Sequence, residues 1–124
     1  MDITPAVPEN RMLIDSYGPG RFQVRGIAYQ GPVIVFPTHV VPWSLTRAAD
    51  VSLDALSLVQ QESPPIEVLL LGTGERMEMI PSALRDTIRN AGLSMDIMKT
   101  GAACRTFNVL MIEGRRAAAA LIPM

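Results

Sequence analysis

The chain has 124 residues with a formal net charge of −1 from 11 basic and 12 acidic side chains, which is enough for one domain and too little for two ordinary ones. The charges are interspersed, the longest basic run being Arg115-Arg116, so there is no cationic stripe of the kind that binds duplex nucleic acid by counterion release. One cysteine, Cys104, excludes an internal disulfide, and with one histidine, His39, it also excludes a Cys/His zinc site within one chain.

Hydrophobic residues make up 48% of the chain and aromatics only 5%, so aliphatic side chains and eight methionines must fill the core. Methionine is an adaptable filler, and eight leave some for a surface patch that suits a protein partner or a second copy of the chain. No apolar run approaches the roughly 18 residues of a membrane span.

Residues 1–11 are polar, carry Pro5 and Pro8, and read as an extended N-terminal arm ahead of a single domain over 12–124. Nothing in that arm has the basic, apolar or Arg-rich pattern of a signal or transit peptide, so a cytoplasmic location is expected. Met12-Leu13-Ile14 begins a short strand, and Ser16-Tyr17-Gly18-Pro19-Gly20 reads as a turn. Phe22 to Ile27 alternates apolar and polar residues, as one strand with a wet face does. Val33 to Phe36 is an unbroken apolar run expected to form a buried strand. His39 to Trp43 is a further short strand, which Pro42 assigns to an edge.

The period then changes. Ser52 is placed to cap a short helix bearing Leu53, Leu56 and Val59, ended by Pro64-Pro65. Ile66 to Leu71 is a central strand closed by Gly72-Thr73-Gly74. A helix opening at Pro81 or Ser82 presents Leu84, Ile88 and Ala91 on one face and stops at Gly92. Met95 to Met98 is the next strand. Thr100-Gly101 starts the last helix, lined by Ala103, Phe107 and Leu110. It ends near Gly114, where Arg115 and Arg116 suit the helix dipole. Ala117 to Ile122 is the final strand. The fold class is therefore α/β: three layers around a mixed sheet, with a β-rich, antiparallel N-terminal part and two C-terminal strand–helix–strand units whose strands run parallel.

Several segments, taken in order, resemble a known family: Ser16-Tyr17-Gly18, Val35-Phe36-Pro37 with Trp43, the strand ending Gly72-Thr73-Gly74, Ala103-Cys104-Arg105-Thr106-Phe107-Asn108, Glu113-Gly114-Arg115-Arg116, and Ala118 to Ile122. The family is that of the small domains that include the mitochondrial complex I assembly factor 3 and the adipogenesis-associated domain protein. The resemblance covers about residues 12–122. It implies a three-layer α/β fold with a mixed sheet and a role in assembly for some members. It supplies no catalytic residues.

Gly72-Thr73-Gly74 ends a parallel strand, where open α/β sheets bind ligands and backbone N–H groups can receive an anion. A dinucleotide fingerprint would need a glycine where Met77 stands and a helix starting before Pro81, and Asp96 falls within a strand instead of at its end. A tight turn is the plainer reading, and no cofactor is expected. Cys104 falls in the first turn of the last helix beside Arg105, where a thiolate would be favoured. The alternative is a small buried hydrophobe. Thr106 and Asn108 are mediocre helix formers, so Asn108 is assigned either to bracing the loop 72–76 or, with Arg105, to binding a small anion. His39 shows no link to Cys104, Glu75 and Glu78 read as a charged loop, and no Gly-x-Ser-x-Gly elbow occurs. Trp43 is either core or an exposed apolar anchor for a partner. A non-enzymatic binding or assembly-accessory protein is thus the leading expectation. The alternatives are a small-ligand site or enzyme built from Gly72, Thr73, Gly74, Cys104, Arg105 and Asn108, and a thiol redox sensor.

Overall fold

The computed structural model describes residues 11–124, so the N-terminal arm expected over 1–11 lies, except for Arg11, outside the described residues. Among the described residues eight strands form two sheets. Strands β1 (Ile14–Gly18), β2 (Arg21–Val24) and β3 (Ile27–Gln30) make an antiparallel meander. Strands β4 (Val33–Val35), β5 (Val40–Pro42), β6 (Val68–Gly72), β7 (Ser94–Met98) and β8 (Ala117–Leu121) form the main sheet in the order β5-β4-β8-β6-β7. Pro42 lies on edge strand β5, where a missing N–H is tolerated.

The helices are α1 (Ser57–Gln60), α2 (Ser82–Asn90) and α3 (Thr100–Ile112). Strand β6 pairs in parallel with both β7 and β8, so each strand–helix–strand unit crosses over through its helix. The mixed character comes from β4, which runs antiparallel to β8 and β5.

Period-two alternation divides the main sheet between two cores. Ile34, Leu69, Leu71, Ala118 and Ala120 face one core with Trp43, Leu56, Val59 and Ile88. Val33, Val35, Leu70, Ala119 and Leu121 face the other with Phe22, Ala103, Phe107 and Met111. Three layers result, with α1 and α2 on one face and α3 with the small sheet on the other. The central strand is β8 rather than β6. Its alanines are wholly buried on both faces, and their short side chains let the layers approach closely.

Four local expectations are corrected. Ser16, Tyr17 and Gly18 belong to β1, and the chain turns one step later, at Pro19-Gly20. The single strand expected over 22–27 is a hairpin, because Arg25 (φ +48°) and Gly26 (φ +80°) form a tight turn with both residues left-handed. The helix around 52–60 is split into a 3₁₀ turn at Asp54–Leu56 followed by α1, with the Ser52 hydroxyl accepting the Ala55 N–H at 3.1 Å. Ala91 is exposed and Leu93 is buried in its stead.

Candidate functional site

The Gly72–Gly74 turn and the start of α3 meet at one rim of the main sheet, and Thr100 joins them. Its side chain is fully buried. Its hydroxyl donates to the Ile122 carbonyl at 2.6 Å and accepts the Gly74 N–H at 2.8 Å, while its backbone N–H donates to the Gly74 carbonyl at 2.9 Å. The N–H that would have to receive an anion therefore already has a partner.

Gly72 is required by proximity. A Cβ there would lie 2.9 Å from Thr100 Oγ1 and 3.0 Å from the Thr100 Cα. Gly74, at φ +102°, adopts a backbone conformation that side chains disfavour. Thr73 closes the loop, its hydroxyl donating to the Arg76 carbonyl at 2.6 Å and accepting the Glu78 N–H at 3.0 Å. The rim is filled by the chain's own hydrogen bonds.

Cys104 points into the core shared with Ala103 and Phe107 and is 1% exposed. Burial pushes its thiol up from 9.0 to about 12, against the weaker opposing pull of the Arg105 charge and a backbone hydrogen bond. Desolvation thus overrides the helix-start effect that would favour a thiolate. His39 belongs to the other side of the sheet: its ring stacks on Phe36 at 4.6 Å and its Nδ1 lies 3.8 Å from Glu62.

Arg105 projects outward and donates to the Tyr17 hydroxyl at 2.6 Å. Asn108 braces a different segment from the one its position suggests. Its Oδ1 accepts the Ile14 N–H at 2.8 Å and its Nδ2 donates to the Ile14 carbonyl at 2.9 Å. One amide so mimics a neighbouring strand and ties β1 to α3. Trp43 is 6% exposed and its Nε1 donates to the Ala55 carbonyl at 2.9 Å. It is a core residue, and the exposed anchor considered for it is corrected by that burial.

Clefts open elsewhere among the described residues. One of about 480 Å³ lies between α2 and β7, lined by Arg85, Arg89, Leu93, Met95 and Asp96 with Gly92 and Ser94. A second, of about 280 Å³, is bounded by Arg11, Thr38, Glu62 and Arg116. A third, of about 220 Å³, adjoins His39 and Leu58. None is lined by Gly72, Thr73, Gly74, Cys104, Arg105 or Asn108.

Residues 14–122 match the model of the family described as Protein of unknown function (DUF498/DUF598). The chain belongs to that family. It is 40% identical over 111 residues to NADH dehydrogenase [ubiquinone] 1 alpha subcomplex assembly factor 3 of Danio rerio, an alignment covering 90% of this chain and 64% of that protein. The chain thus spans a little under two thirds of that relative. A crystal structure of a Bordetella parapertussis protein superposes with a TM-score of 0.84 at 31% identity, covering 94% of this chain and 100% of that one. A structure described as an outer membrane protein from Bartonella henselae gives a TM-score of 0.81 at 39% identity, covering 93% and 98%. Among the described residues no helix is long and apolar enough to cross a membrane.

Two residues of this DUF498/DUF598 chain that shape the rim escaped sequence reasoning. Thr100 was legible only as a helix start. A threonine directly before the helix glycine Gly101 was its only signal. Tyr17 was hidden by its assignment to a turn, yet its ring covers Gly101, where a Cβ would lie 3.1 Å from the Tyr17 hydroxyl oxygen.

Proposed function

We propose that this chain is a non-catalytic protein-binding domain that acts as an accessory in assembling a multisubunit NADH dehydrogenase. The observation that carries this reading is the 40% identity, over 90% of the chain, to a protein named for such assembly. The rim geometry supports it. Gly72, Thr73, Gly74 and Asn108 spend their polar groups on the chain's own backbone and on the Thr100 hydroxyl, Arg105 holds Tyr17, and Cys104 is a buried thiol. In this reading those six residues hold the fold in shape, and the surface does the work. No specific observation favours the small-ligand or thiol-sensor alternatives.

Deleting the gene in its host and resolving membrane complexes on native gels tests the reading. Subassemblies of the NADH dehydrogenase should accumulate and the full complex should diminish. Normal amounts of mature complex in the deletion strain would contradict it.

A further inference from the structure

Among the described residues, β7 pairs only with β6 and so forms an edge of the main sheet. The Thr73 N–H donates to the Met98 carbonyl at 3.0 Å, so the main-chain groups of Met98 point at β6. Main-chain groups alternate in direction along a strand. Ser94 and Asp96 therefore also turn theirs toward β6, and Met95 and Ile97 aim their N–H and C=O groups away from the sheet. Among the described residues no backbone partner takes these four groups, which are placed to receive another strand.

Beside the edge runs the cleft of about 480 Å³. Met95 and Ile97 are half-buried on the α2 face of the sheet, and alternation puts Asp96 on the opposite face. On the α2 side stand Arg85 and Arg89, both exposed. Arg89 makes a loose contact with Asp86 at 3.4 Å, between side chains 72% and 64% exposed, and Arg85 has no ion-pair partner among the described residues. The cleft is lined by Arg85, Arg89, Gly92, Leu93, Ser94, Met95 and Asp96, so two guanidinium groups face one carboxylate and the balance of charge over the free strand is positive.

We infer that the β7 edge and the Arg85–Arg89 face of α2 together receive an extended segment of a partner protein that carries acidic side chains at alternate positions. The segment adds a strand to the sheet through the main-chain groups of Met95 and Ile97. Its acidic residues project over Met95 and Ile97 toward the two guanidinium groups, and the intervening residues, which fall on the side of Asp96, are not acidic. A second copy of this chain fits less well. The antiparallel self-pairing that uses all four free groups sets Asp96 against Asp96, and like charges directly opposite are destabilising. This inference rests on the protein-binding function proposed above and names the chemistry of the partner.

The test titrates isotopically labelled protein with two eight-residue peptides, one alternating Glu and Val, the other alternating Lys and Val. The Glu peptide should shift the amide signals of Met95 and Ile97 and slow their hydrogen exchange, while the Lys peptide leaves them unchanged. The double variant Arg85→Glu/Arg89→Glu, exposed at both positions, should keep the fold and weaken the Glu peptide about tenfold or more. Met95→Pro, which removes one outward N–H from an edge where proline is tolerated, should also weaken it. Equal binding of both peptides, no binding of either, shifts mapping elsewhere, or self-association through β7 without peptide would overturn the inference. If deletion of the gene blocks assembly and the double variant restores it in full, the groove falls while the assembly function stands. If the deletion has no effect and the Glu peptide still binds, the reverse holds.

Discussion

Gly72 and Thr100 compete for the space of a single methyl group: a Cβ on Gly72 would stand 2.9 Å from the Thr100 hydroxyl oxygen and 3.0 Å from its Cα. The end of β6 and the start of α3 are held at that separation by the Thr100 hydroxyl, which bonds both Gly74 and Ile122. Gly72→Ala pushes against backbone and should destabilise the protein by about 2 kcal/mol, in the range of overpacked cores. Equilibrium urea unfolding measures this, and an unchanged midpoint would contradict the close contact.

Thr100→Val keeps the shape of the side chain and removes its hydroxyl. The Gly74 N–H and the Ile122 carbonyl lose a partner in a buried site, and a loss of about 3 kcal/mol is expected for the pair. Thr100→Ser retains both bonds and should recover most of that stability. If Val and Ser were equally stable, the hydroxyl would not be what closes the rim.

Asn108→Ala breaks both bonds to Ile14, at about 2 kcal/mol. The amide of Ile14 should exchange faster with solvent, while amides of the main sheet keep their order of protection. Uniform loss of protection across the chain would show that the bracing is not local to β1.

Burial raises the Cys104 thiol from 9.0 to about 12, so above pH 9 the unfolded chain gives up a proton that the folded one keeps. The stability from the buried neutral thiol is complete below pH 9 and is lost as pH rises from 9 toward 12, by at most about 1.4 kcal/mol per unit. The stability–pH curve of Cys104→Ala should be flatter over that window. In native protein at pH 8, a thiol reagent should react only after denaturant is added. Rapid native labelling would restore Cys104 as a reactive site.

The parallel half of the fold was legible because its signals are local. Gly92 and Gly114 follow two helices, Pro64-Pro65 ends a third, and the apolar run from Ile66 to Leu71 reads as a strand, which the fold realises as β6 from Val68. The N-terminal half was less so. Arg25 takes a left-handed conformation more usual for asparagine or glycine, so Gly26 alone marked the hairpin turn between β2 and β3 and one glycine was too little to break the alternating run. At the rim, the meeting of Gly72–Gly74 with α3 followed from parallel topology, but its closure did not. Thr100 acts through Ile122 and Asn108 through Ile14, partners 22 and 94 residues away, and only the folded sheet brings them together. Trp43 was ambiguous because the burial of an aromatic beside an edge strand depends on what covers it, here the segment ending in Ala55.

That the domain works by binding, with no chemistry at the rim, is tested most directly by restoring a gene-deletion strain with the double variant Cys104→Ala/Arg105→Ala. Cys104 is in the core on the α3 face and Arg105 contacts Tyr17 of β1, both away from the α2–β7 side, so where the variant accumulates normally mature NADH dehydrogenase should return to the level given by the unaltered gene. A variant that accumulates normally yet leaves the complex unassembled would place the function at the rim and contradict the binding role proposed here.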